Sequence, residues 1–244
     1  MGNADLLEIV LRSRADANVA NMHGMTALMQ AAAGAHFNAA DVLLRNRADA
    51  AATAKDSGTA VMLASVGGDE RTVKRLLDVL DGGAVDAADE AGSTAVHAAA
   101  FRGRAGVLHA LLHGRADANR RDGRGTSALM TASLRGHTRA VDVLLQHGAD
   151  KDAVDRNGYT AFMFAAHAGH VDTIEALIRC GADVNAESGN GERALAFASR
   201  AGHSNAVSVI QSAMKLSVVL GRGYVAACEP TTVTDQPQCT QARV

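Results

Sequence analysis

Metal, acid–base and nucleophilic chemistry all need particular side chains at particular spacings, and this 244-residue chain offers ten histidines, three cysteines and 26 acidic residues from which to build them. His109 and His113 stand four apart, the spacing that puts two imidazoles on one helix face and makes half of a zinc site. Zinc needs three or four ligands, and no nearby Cys or carboxylate completes the set, so the pair reads as a solvated helix face. His167 and His170 are three apart, but His170 follows Gly169, and the same pair returns as Gly136-His137 and Gly202-His203. A recurring Gly-His pair points to capping at a turn. No glycine-rich loop with a following lysine is present to cradle a phosphate, and Gly123-Arg124-Gly125 has no strand before it. The Gly-x-Ser-x-Gly pattern of a nucleophile elbow is absent. Asp49, Asp117 and Asp150 recur at turn positions, where a carboxylate bonds its own backbone. No residue is assigned a catalytic, cofactor-binding or metal-ligating role, and the expectation is a protein that is not an enzyme.

The elements that carry these residues follow from a long internal period. A pattern built on Gly24-Met25-Thr26-Ala27-Leu28-Met29 returns at Gly58, Gly92, Gly125, Gly158 and Gly191. Its anchor position is Thr26, Thr59, Thr94, Ser127, Thr160 and Arg193, at intervals of 33, 35, 33, 33 and 33 residues. A repeat of that length means stacked units, none able to bury its apolar face alone.

The unit anchored at Ser127 shows the logic. A hydroxyl at Thr126 or Ser127 caps a short helix over 128–135, with Leu129, Ala132 and Ser133 on its packed side. Gly136 ends that helix. A second helix opens at His137 and presents Ala140, Val141, Leu144 and Leu145 on one face. Gly148-Ala149-Asp150 closes it into a turn and an extended loop.

These residues resemble the ankyrin repeat, whose pattern is Gly-x-Thr-Pro-Leu-His-x-Ala-Ala, then Gly-His, Val-x-x-Leu-Leu and Gly-Ala-Asp-x-Asn-Ala. Gly181-Ala182-Asp183-Val184-Asn185-Ala186 reproduces the last segment. The resemblance covers about residues 1–216 and implies an all-α solenoid of stacked helix-turn-helix units with hairpin-like loops. Its expected divisions are a partial first repeat over 1–19, holding only a second helix, six repeats over 20–216, and a disordered tail over 217–244. The tail holds both prolines, with Val218-Val219-Leu220 as a possible extension of the last helix.

Several positions depart from the family pattern. Its proline is Ala27, Ala60, Ala95, Ala128, Ala161 and Ala194, a small loss per unit. Its histidine survives as His97; Met29, Met62, Met130, Met163 and Ala196 take the other slots. Methionine does not bond the capping hydroxyl as histidine does, so weaker polar staples are expected. Arg14, Arg47 and Arg115 replace a glycine that adopts positive φ, at about 1 kcal/mol each; Gly114 offers a shift of the third cap by one residue. Family drift is the preferred reading of these arginines, a basic edge the alternative. Two extra residues fall near 81–83, again read as drift in a tolerant turn. At the start, Leu6, Leu7, Val10 and Leu11 align with Ala39, Ala40, Leu43 and Leu44, and the first helix of that unit is missing. A fragment of a longer array is expected over a poor cap. At the other end, Arg193 in place of the hydroxyl, with Gln211 and Ser212, marks a partial cap.

A net charge of −2 gives no drive towards polyanions, and 3% aromatic residues are too few for a base-stacking platform, so nucleic acid is disfavoured. Irregular cysteines argue against a disulfide framework and for a reducing compartment. No signal segment or membrane-length apolar run is visible, and the expected location is cytoplasmic or nuclear.

The resemblance implies that a protein or peptide partner binds the concave face of loop tips and first helices, in the manner of a scaffold, adaptor or inhibitor. The alternative is the recognition arm of a larger multidomain enzyme or channel. The matching slots are Phe101, Arg102, Arg121, Arg124, Leu134, Arg135, Arg156, Tyr159, His167 and Arg200. Arg, Tyr and Phe are enriched at interface hot spots, so an acidic partner with a hydrophobic anchor is expected, with no membrane involvement.

Overall fold

A computed structural model describes residues 4–80 and 84–220, with side chains through 217. Among the described residues every named element is a helix: α1 (Ala4–Arg12), α2 (Ala27–Ala33), α3 (Phe37–Arg45), α4 (Ala60–Gly67), α5 (Glu70–Leu77), α6 (Ala95–Phe101), α7 (Ala105–His113), α8 (Ala128–Arg135), α9 (Thr138–Gln146), α10 (Ala161–Ala168), α11 (Val171–Arg179), α12 (Ala194–Arg200) and α13 (Ser204–Leu220). Even-numbered helices from α2 to α12 pack in one row, odd-numbered helices from α1 to α13 in a second, and each unit joins one of each. Two layers with neighbour-only contacts are the solenoid that the period predicts.

The anchor hydroxyls start the inner helices. Thr26, Thr59, Ser127 and Thr160 accept from the N–H of Met29, Met62, Met130 and Met163 at 3.3–3.4 Å. Each such cap contributes about 1 kcal/mol. The methionines do more than expected: Met29 Sδ and Met130 Sδ accept from the N–H of Thr26 and Ser127 at 3.5 and 3.4 Å, closing a weak capping box. What they lack is reach. His97 Nδ1 accepts from the Thr94 N–H at 3.3 Å, while Nε2 donates to the Thr126 carbonyl of the next unit at 3.1 Å. Small alanines such as Ala64, Ala99, Ala132 and Ala165 are fully buried where inner helices meet.

The Gly-His histidines bridge units; neither His137 nor His170 makes a side-chain cap on its own helix. Nε2 of His137, His170 and His203 donates to the carbonyls of Phe101, Leu134 and His167, each at the end of the preceding inner helix, at 3.1–3.2 Å. Orphan carbonyls at a helix end are thereby satisfied from the next unit. Gly136 must be glycine twice over. Its φ is +69°, and a Cβ there would lie 2.6 Å from the His170 ring.

Loops form a second ladder. Lys55, Gly123 and Gly189 donate backbone N–H groups to the carbonyls of His23, Ala91 and Asn157 one unit earlier, at 2.7–3.1 Å. The turn aspartates act locally as read from sequence: Asp49, Asp117 and Asp150 accept from the N–H two residues on.

One expectation changes. Arg115 itself takes positive φ (68°) while Gly114 does not, so the cap is not shifted; Arg14 and Arg47 do the same at 66° and 62°. In α1, Leu7 and Leu11 pack on the core, but Leu6 and Val10 are exposed. The insertion near 81–83 and residues 221–244 of the tail lie outside the described residues, and α13 continues through Leu220.

Two measurements check this account. Arg47→Gly relieves the left-handed backbone and should raise stability by roughly 1 kcal/mol in urea unfolding. Burial lowers the His97 pKa below 6.5 in the folded state. The unfolded chain therefore binds the proton more readily, and stability falls as pH drops below 6.5. His97→Met carries the residue of four other units and should remove that component, so the wild type loses ground to the variant between pH 7.5 and 5.5.

Candidate functional site

The inner face is built by two pieces of each unit: the loop tip and the exposed side of the even-numbered helix. At each tip one side chain collects the turn. Asp122 accepts from the N–H of Arg124 and Thr126, both at 2.8 Å. Asp155 does the same for Asn157 and Tyr159 at 2.9 and 2.8 Å. Arg156 N–H then donates to the Arg124 carbonyl of the preceding tip at 3.3 Å. With its carboxylates spent on backbone, the tip is held rigid and aims Arg124, Arg156 and Tyr159 outward.

The ten sequence-derived positions are exposed, apart from half-buried Tyr159, and seven of them fall into two groups. The first lies across the ends of α6 and α8. The Arg135 guanidinium sits 3.9 Å from the Phe101 ring centroid and that of Arg102 5.9 Å away, a cation–π cluster. Phe101 and Leu134 keep 42% and 40% of their surface open, large values for apolar side chains on a rigid frame.

Tyr159, His167 and Arg200 form the second group. They line a recess of about 440 Å³ between α10 and α12 together with Met163, Phe164, Phe197 and Ala201. Tyr159 meets Phe164 and Phe197 edge-on, at centroid distances of 6.0 and 5.4 Å. Phe164 and Phe197 were missed from the sequence, though a signal existed. They occupy one register position, which reads Gln30, Leu63, Ala98, Thr131, Phe164 and Phe197 along the units. The slot varies freely along the repeating helix, and only the last two units make it aromatic.

Charge separates the groups as well. Arg200 is paired with Glu192, whose hydrogen bond and then charge raise its pKa, and Arg193 with Glu187 at 2.6 Å. Arg102, Arg121, Arg124, Arg135 and Arg156 form no salt bridge among the described residues. Arg121 is engaged otherwise, donating to the Val154 carbonyl of the next loop at 2.5 Å. The middle of the face thus carries arginines with no salt bridge among the described residues, in a chain of net charge −2.

Elsewhere, His109 stacks on His113 at 5.7 Å and meets His147 edge-on at 5.3 Å on the outer row. Among the described residues no group of three or more His, Cys, Asp or Glu is placed to hold a metal ion. Nearby, burial raises the Asp142 pKa, opposed by Arg179. Cys180 lies directly after α11. No described helix is long and apolar enough to cross a membrane.

A family model described as ankyrin repeats, three copies, matches in overlapping windows over residues 1–89, 42–122, 61–155, 105–188 and 129–217. No curated protein matches the sequence.

Display residues and structural walls should separate on mutation. Leu134→Ala and Arg135→Ala should each change stability by less than about 0.5 kcal/mol in urea unfolding. Phe197→Ala removes a buried ring and should cost roughly 3 kcal/mol.

Proposed function

Because the chain belongs to the ankyrin-repeat family, whose repeats are generally protein–protein interaction modules, we propose that its inner face binds an acidic peptide or acidic protein surface carrying a hydrophobic anchor. The chain acts by display, as a scaffold, adaptor or inhibitor, and performs no chemistry on its partner. One observation carries this reading: Arg102, Arg124, Arg135 and Arg156 stand on one face beside exposed Phe101 and Leu134, with no carboxylate paired to them among the described residues. Arg102 and Arg135 already lie against the Phe101 ring and so lose less hydration on meeting a carboxylate. Loops pinned by backbone bonds add preorganisation, so less conformational freedom is lost on binding.

Full-length chain should recover acidic partners in a pull-down read by mass spectrometry, and calorimetry on the leading partner then decides the case. Arg124→Glu with Arg135→Glu should weaken binding by about tenfold or more and flatten its salt dependence. Unchanged affinity and unchanged salt dependence would count against this face.

A further inference from the structure

We infer that the recess between α10 and α12 is a single-residue anchor pocket, and that the partner is an extended peptide with one large apolar side chain and acidic residues several positions to one side of it. This rests on the reading above and deepens it by assigning the two halves of the partner to two places. The recess holds about 440 Å³, is walled by Tyr159, Phe164 and Phe197, and has His167 and Arg200 at its rim. That suits one aromatic, leucine or methionine side chain, and burial of such a group supplies most of the affinity at an interface core.

The recess is a poor place for the acidic residues. Arg200, the arginine in the recess lining, is held by Glu192, and Arg193 beyond it by Glu187; Arg156, on the loop tip of the same unit, has no salt bridge among the described residues but is not part of the lining. Apart from Arg156, the display arginines without a salt bridge lie in earlier units, where Arg102 and Arg135 flank Phe101 across α6 and α8. Charge complementarity therefore puts the anchor and the carboxylates on different units. Neighbouring helices pack roughly 8–10 Å apart, so the Phe101 cluster lies about two spacings from the recess, on the order of 16–20 Å. An extended chain rises about 3.3 Å per residue. The acidic residues then fall about four to seven positions from the anchor. The aromatic wall is specific to this end of the stack: the preceding unit has Thr126 and Thr131 where Tyr159 and Phe164 stand.

Random dodecapeptides displayed on phage, selected on the full-length chain, test this. The pocket variant is Tyr159→Thr with Phe164→Thr, which installs residues the preceding unit already tolerates; Ala201→Phe fills the recess from an exposed rim as a second, independent block. Circular dichroism and the thermal midpoint establish that each variant is folded. The charge variant is Arg102→Glu with Arg135→Glu. The expected result is enrichment of peptides with one large apolar residue and two or more Asp or Glu four to seven positions from it. Synthetic copies should bind at least about tenfold more weakly to each variant, measured by fluorescence anisotropy. Acidic peptides with no anchor, insensitive to both pocket variants but sensitive to the charge variant, would overturn the anchor inference and leave the acidic-partner reading standing. Peptides with an anchor but without acidic bias, insensitive to the charge variant, would overturn that reading. So would the absence of any enrichment over the charge variant. N-acetyl-tryptophanamide binding as tightly as the selected peptides would assign the recess to a small aromatic molecule and overturn the peptide inference.

Discussion

No unit of this chain can close its own core, and that constraint shapes everything else. An inner helix of seven or eight residues is too short to persist alone in water, and its apolar side is covered only by the helices before and after it. The fully buried alanines at the inner-helix contacts let backbones approach closely, while Leu28, Leu129 and Phe162 fill the space towards the outer row. Polar cross-links run along the same direction. His137, His170 and His203 each finish the helix of the preceding unit, and the loop tips exchange backbone bonds with their neighbours. Stability is therefore a nearest-neighbour property, and a change at one junction is felt mainly by the two units that share it.

The replacement of the family histidine by methionine fits this picture without loosening the helices themselves. The cap hydroxyls still accept from the third N–H, and two sulfurs return a weak bond to the capping residue. What changes is coupling between units, since His97 alone spans from its own cap to the Thr126 carbonyl beyond it. That link requires a neutral ring with Nδ1 free to accept, and burial favours the neutral form.

A frame held this way leaves certain positions unconstrained, and the proposed binding surface draws on those. The slot four residues after the anchor hydroxyl reads Gln30, Leu63, Ala98, Thr131, Phe164 and Phe197, polar or small in some units and packed on the core in others. The loop-tip arginines are similar: the turn is secured by Asp122 or Asp155, so the neighbouring side chains are available for recognition. Rigid scaffolding with variable display is the physical basis for binding a protein without an enzyme's catalytic constellation.

The sequence by itself determined the architecture, because a 33-residue period of capping hydroxyl, small residues, Gly-His and paired leucines admits one way of burying its apolar faces. It also placed Phe101 and Arg135 at exposed positions by register, and assigned the turn role of the aspartates. It did not determine which slots meet. Arg121 reads as one more surface arginine but is spent on the Val154 carbonyl, and Arg200 is matched to Glu192 across a single loop. The histidines of the Gly-His pairs read as local caps but serve the unit before them, because their bonds cross 36 residues of chain. The convergence of Tyr159, Phe164 and Phe197 into one recess was decided by tertiary structure alone. Register tells which face a residue takes, but distances between side chains on different units depend on how the units stack, and a linear pattern carries no such coordinate.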